Sequence, residues 1–95
     1  MTTFRVRRDT NSKNLSGAIT SVLQEEEELM INAIGAGAVN QAVKAIAIAR
    51  TYLAPFGYDI NIRPSFKTLE VDGVERSTIT IMVKRISLEA FGDDE

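Results

Sequence analysis

The sequence predicts an α+β domain whose elements run β-α-β-α-β-β, and three observations carry that prediction. Short apolar-polar alternations at Phe4 to Arg7, Tyr58 to Arg63 and Ile79 to Val83 have the period of strands. Two longer segments, Leu15 to Leu23 and Ala38 to Leu53, repeat their apolar residues at helical spacing. Asp72-Gly73, flanked by the last two strand patterns, is a hairpin turn signal.

The elements follow in order. Phe4 and Val6 of the first strand face a core, and Asp9, Thr10, Asn11 and Ser12 are side chains that start helices, so a helix is expected to begin near Lys13. Its buried stripe is Leu15, Ala18, Ile19, Val22 and Leu23; Gly17 costs about 1 kcal/mol there relative to Ala and is expected to serve a close backbone approach. Glu25 to Glu28 oppose the partial negative charge at that helix's end and should terminate it. Leu29 to Ile34 suits a central strand covered on at least one face. Gly35-Ala36-Gly37 then turns the chain into a second helix from about Ala38 to Leu53, apolar almost all the way round. Val39, Val43, Ile46 and Leu53 line one side of it, with Ala38, Ala42, Ala45 and Ala49 beside them; Ile48 and Tyr52 lie nearly opposite. So little polar surface implies burial on more than one side, with a second subunit covering Ile48 and Tyr52. Arg50 is expected on the core side, its charge meeting the helix's last carbonyls. Ala54-Pro55-Phe56-Gly57 stops that helix. Pro64 marks the third strand as an edge or a bulge, and the slipped phase of Phe66, Leu69 and Val71 predicts a bulge near Lys67 or Thr68.

Ninety-five residues suit one domain spanning 1–95, with a frayed acidic tail at 89–95. Apolar residues at 44 % and charged residues at 25 % are ordinary globular values. No apolar run approaches the roughly 18 residues of a membrane span and the polar start lacks a signal peptide's apolar middle, so a cytoplasmic protein without membrane contact is expected. The absence of Cys and His removes thiol nucleophiles, thiolate metal sites and the commonest acid-base group. No metal, no cofactor and no enzymatic activity are expected. Gly35-Ala36-Gly37 resembles the opening of a dinucleotide fingerprint, but its third glycine position is Asn40, and no Walker loop occurs.

The net charge of −2 hides a local asymmetry: acids collect at Glu25 to Glu28 and at the C-terminus, whereas Arg5, Arg7, Arg8 and Lys13 crowd the start. The start of the first helix, at Asn11, Ser12 and Lys13, and the start of the second, at Gly35 and Gly37, offer N–H groups to phosphate oxygens. A long hairpin carrying Arg63, Lys67 and Arg76 can reach along a groove. DNA or RNA is therefore a candidate partner; the competing reading is an oligomeric assembly module that ignores nucleic acid.

The segment "IGAGAVNQAVKAIAIARTYLAP", from Ile34 to Pro55, closely resembles the bacterial stage V sporulation protein S family. The similarity extends to "NSKNLSGAITSVL", "IRPSF" and "DGVERSTITIMV", and so covers about Arg5 to Val83. Members look like Alba-type proteins, so the resemblance implies a two-layer α/β sandwich with two helices on one face of a four-stranded sheet. It further implies a homodimer, with association of dimers left open, and a regulator of sporulation and cell division that binds nucleic acid. Alba contacts map onto Asn11, Ser12 and Lys13, onto the Gly35-Ala36-Gly37 turn, and onto Arg63, Lys67 and Arg76. That turn lacks the basic residue typical of Alba proteins.

Overall fold

The computed structural model describes residues 1–89. Its elements are β1 (Thr2–Val6), α1 (Ser12–Glu25), β2 (Glu28–Ile34), α2 (Ala36–Leu53), a short 3-10 turn (Ala54–Phe56), β3 (Tyr58–Val71) and β4 (Val74–Ser87). The strands form one sheet in the order β1-β2-β4-β3, with β1 parallel to β2 and the other neighbours antiparallel. Both helices cover one face of it, so the expected two-layer sandwich and element order are present.

The core follows from the period of each element. Leu29, Ile31 and Ala33 alternate along β2, Ile81 and Val83 continue the same face on β4, and all are buried. Leu15, Ile19 and Leu23 of α1 and Ala38, Ala42, Ala45, Ile46, Ala49 and Leu53 of α2 close over them. The alanines let the helix axis approach the strands, while each large aliphatic side chain contributes about 1.5–3 kcal/mol by leaving water.

Helix ends are satisfied by named groups. The Asn11 side-chain oxygen accepts from the Asn14 N–H at 2.9 Å, which places the N-cap of α1 one residue before Ser12. At the other end Glu26 is already extended, and the Arg85 guanidinium on β4 donates to the Leu23 carbonyl at 2.9 Å while lying 4.4 Å from the Tyr58 ring centre. The glutamates thus stand where the helix stops, and a distant arginine supplies the cation its last turn lacks. α2 starts two residues earlier than its sequence suggests, because Gly35, at φ 91°, makes the turn and Ala36 already adopts helical geometry.

Four expectations are corrected. Gly17 faces open space with no atom near a would-be side chain, so no close approach needs it. Val43 is 46 % exposed, because the alanine row rather than the valine row sits on the sheet. Arg50 is exposed and reaches Asp59 on β3 instead of the helix's last carbonyls, its Nε lying 2.6 Å from Asp59 Oδ1. No bulge interrupts β3, which pairs with β4 in one continuous register from Tyr58↔Ser87 to Val71↔Val74. The apparent phase slip arises because Phe66 lies on the helix side while Leu69 and Val71 lie on the opposite side of an arm that has left the core. Pro64 sits on an edge strand, where a missing N–H costs no ladder bond.

That arm is the outward half of the hairpin. β2 accompanies β4 only as far as Thr78, opposite Ile34, so residues 68–77 run on as two strands alone. Asp72 and Gly73 close it with positive φ at both positions, as a two-residue turn between right-twisted strands requires. The arm accounts for the 49 Å long axis against 24 and 23 Å across. The tail expected to fray from Glu89 lies, beyond Glu89, outside the described residues.

Candidate nucleic-acid interface

β1 and β2 are parallel and end together, and the arm continues past that end. Between arm and body lies a cleft of about 810 Å³ lined by Arg5, Arg7, Arg8, Gly35, Gly37 and Arg76, with Ile34, Leu69 and Val71 as apolar walls and Glu70 and Asp72 on the arm. The loop after β1 holds the arginines in place: the Thr10 hydroxyl accepts from the Arg7 N–H at 2.9 Å, and the Thr10 carbonyl accepts from Gln41 Nε2 of α2 at 2.7 Å. This pins Arg8 against the first turn of α2. A Cβ at Gly37 would stand 2.8 Å from Arg8 Cβ, so glycine is what allows the two backbones to meet.

The cleft is electropositive from two sources. The leading N–H groups of α2 have no intrahelical acceptor, since the first such bond runs from Val39 N to Gly35 O, and the 18-residue helix adds its dipole. Among the described residues, none of the four arginines forms an ion pair; Arg50–Asp59 is the one pair within reach. Each guanidinium keeps its donors for a ligand, in the planar geometry that matches phosphate oxygens.

The structure distributes the residues expected from the sequence over three places. Gly35, Gly37 and Arg76 line the cleft. Arg63 and Lys67 share a sheet face with Arg76, since Arg63 stands opposite Met82, Lys67 opposite Thr78 and Arg76 opposite Leu69. Asn11, Ser12 and Lys13 open α1; the Asn11 oxygen is committed to capping, whereas Lys13 is exposed. Arg5, Arg7 and Arg8 also line the cleft, although no motif in the sequence assigns them to it. Their crowding near the start was the available signal, but only the fold brings them to the glycine turn, where they supply the basic charge that the turn itself lacks.

Ile48 and Tyr52 lie with Gln41 on the side of α2 turned to α1; Ile48 is half-buried and Tyr52 is 43 % exposed. Val43 and Arg50, seven residues apart, share the side turned to β3. On that side Val43, Ile62 and Phe66 are exposed, Phe66 by 85 %. The Arg50 hydrogen bond holds the Asp59 carboxyl below its ordinary range, helped by the Ile60 N–H and opposed by partial burial. Among the described residues no group of acids is placed to hold a metal, and no helix is long and apolar enough to cross a membrane.

The fold is similar to that of Alba from Thermoplasma volcanium, with a TM-score of 0.62 over 87 % of this chain and 96 % of that one, at 19 % identity. At the sequence level, the model of the family described as Stage V sporulation protein S matches residues 2–86, from the first strand through the end of the hairpin. This chain, with its arginine-lined cleft at the glycine turn, belongs to the stage V sporulation protein S family.

Proposed function

We propose that this protein is a sporulation-associated regulator of the cytoplasm that binds nucleic acid through phosphate contacts, as a homodimer. The observation that carries the reading is the cleft, where four arginines without ion-pair partners among the described residues converge on the start of α2. Such a site takes phosphate oxygens with little regard to sequence, because phosphates are the same at every step. Lys13 and the arm extend the same contact. Fluorescence anisotropy with labelled duplex and single strands at rising salt tests it. The double substitution Arg7→Ala with Arg8→Ala is expected to weaken binding to all sequences alike and to flatten the duplex salt slope by about 1.8, the value for two lost phosphate contacts. Failure to bind any nucleic acid at low salt rejects the reading.

A second reading, an assembly module without nucleic-acid activity, is favoured by the exposed apolar side chains. Two surfaces compete for the partner subunit: Ile48 with Tyr52 beside α1, and Val43 with Ile62 and Phe66 beside β3. Charged residues placed in a subunit interface split it, so sedimentation of Tyr52→Glu and of Phe66→Glu identifies the surface in use. A monomeric wild-type protein rejects both the homodimer and the assembly reading.

A further inference from the structure

Resting on the reading that the protein binds nucleic acid, we propose that the uncovered face of the sheet is a track for a single strand, which shares Arg5 and Arg76 with the end cleft and leaves it through Lys67, Arg63 and Lys84. Strand register places its residues. Cross-strand partners share a face, and the partners of the core residues fix which face the helices take. The opposite face carries Lys84 opposite Asn61, Arg63 opposite Met82, Lys67 opposite Thr78 and Arg76 opposite Leu69. Arg5 joins them through Asn32 of β2. Against these five cations stand Glu28, across from Lys84, and Asp59, which Arg50 already engages. The face is therefore positive on a chain whose net charge is −2.

The cations are also ordered. Along the hairpin they fall at steps of two, four and two residues, and two strand residues advance about 7 Å. The phosphates of an extended single strand recur at a similar interval, so Lys84, Arg63, Lys67 and Arg76 can each meet one while the strand follows the hairpin.

The middle of the face offers neutral hydrogen-bonding groups in place of charge. The Thr80 hydroxyl donates to Asn32 Oδ1 at 2.9 Å, which leaves the N–H donors of that carboxamide for a ligand. Met30 and Met82 stand opposite each other, half-buried, as polarisable apolar contacts for a base. Watson–Crick edges and base faces are available in a single strand and are paired and stacked away in a duplex. Among the described residues no helix or loop rises from this face to enter a groove, whereas Arg7 and Arg8 of the cleft stand at the start of α2, where duplex phosphates can be met.

The test compares the wild-type protein with Arg63→Ala/Lys84→Ala and with Arg7→Ala/Arg8→Ala, using a labelled twelve-nucleotide oligo(dT) and a twelve-base-pair duplex. The sheet-face variant is expected to lose affinity for oligo(dT), its log K against log salt slope falling by about 1.4, with the duplex curve unchanged. Methyl NMR of the wild-type protein should show Met30 and Met82 shifting with oligo(dT) and remaining still with the duplex. An unchanged oligo(dT) slope in the sheet-face variant overturns the proposal, and so does an equal loss on duplex. If only the cleft variant loses binding, the single-strand track falls while the nucleic-acid reading stands. If neither probe binds the wild-type protein at low salt, both fall.

Discussion

Neighbouring residues of β4 serve opposite faces of one sheet. Ile81 and Val83 are sealed under the helices, while Thr80, Met82 and Lys84 lie on the opposite face, which no element covers among the described residues; there Thr80 is buried among its neighbours, Met82 is half-buried and Lys84 is exposed. One face is aliphatic and excludes water; the other carries hydroxyls, thioethers and cations within a residue's step. A two-residue period lets one strand hold the domain together on one face and carry polar and charged groups on the other, with each substitution reporting on one face.

The largest expected separation comes from an adjacent pair. Ile81→Ala opens a cavity beneath the helices and is expected to cost about 2–5 kcal/mol in urea unfolding. Thr80→Val, one residue away, loses a hydroxyl bond to Asn32 and should cost about 1 kcal/mol. Equal losses would erase the contrast between the faces.

Arg85 is a cation on the helix-covered side of β4, opposite Ile60. Its charge is used at the end of α1 and against Tyr58. Arg85→Met is expected to lower stability by about 1.5 kcal/mol while leaving the affinity and salt slope for nucleic acid intact. A fall in affinity without a fall in stability would place Arg85 among the ligand contacts.

The smallest effect belongs to the pair that joins α2 to the edge strand. Arg50 is 58 % exposed at its side chain, so Asp59→Asn should cost no more than about 1 kcal/mol at neutral pH. Asp59 is held below its ordinary range, so its contribution is complete above the unfolded value, near 4, and disappears as pH falls through the lower folded value. Urea midpoints of the two proteins should differ at pH 7 and converge in acid; a gap that persists in strong acid would assign the loss to packing.

Much of the fold was legible because periodicity is a local property. Val6, Ile19, Leu29 and Ile81 announce their burial within a few residues of chain, and Asp72-Gly73 names its turn. The errors arose where a neighbour distant in sequence decided the outcome. Gly17 resembles a packing glycine until no element is found above it, and Gly37 is the glycine that Arg8 needs. Leu69 and Val71 imply a bulge only where a core continues beneath them, and past Thr78 the hairpin has left it. The site was half legible: the glycine turn and the hairpin cations stand out in the sequence, whereas the body arginines of the cleft sit some thirty residues before the turn they serve.

The sequence by itself determined the order of elements, the buried stripes, the hairpin turn and the family, since each depends on side-chain type and spacing within a short window. Tertiary structure alone decided that Arg5, Arg7 and Arg8 meet the start of α2, that Arg50 belongs to Asp59, and that Arg63, Lys67, Arg76 and Lys84 share an uncovered face. The physical reason is that a charge acts on whatever lies within a few ångströms, and strand register and chain reversal, not sequence distance, set what lies there.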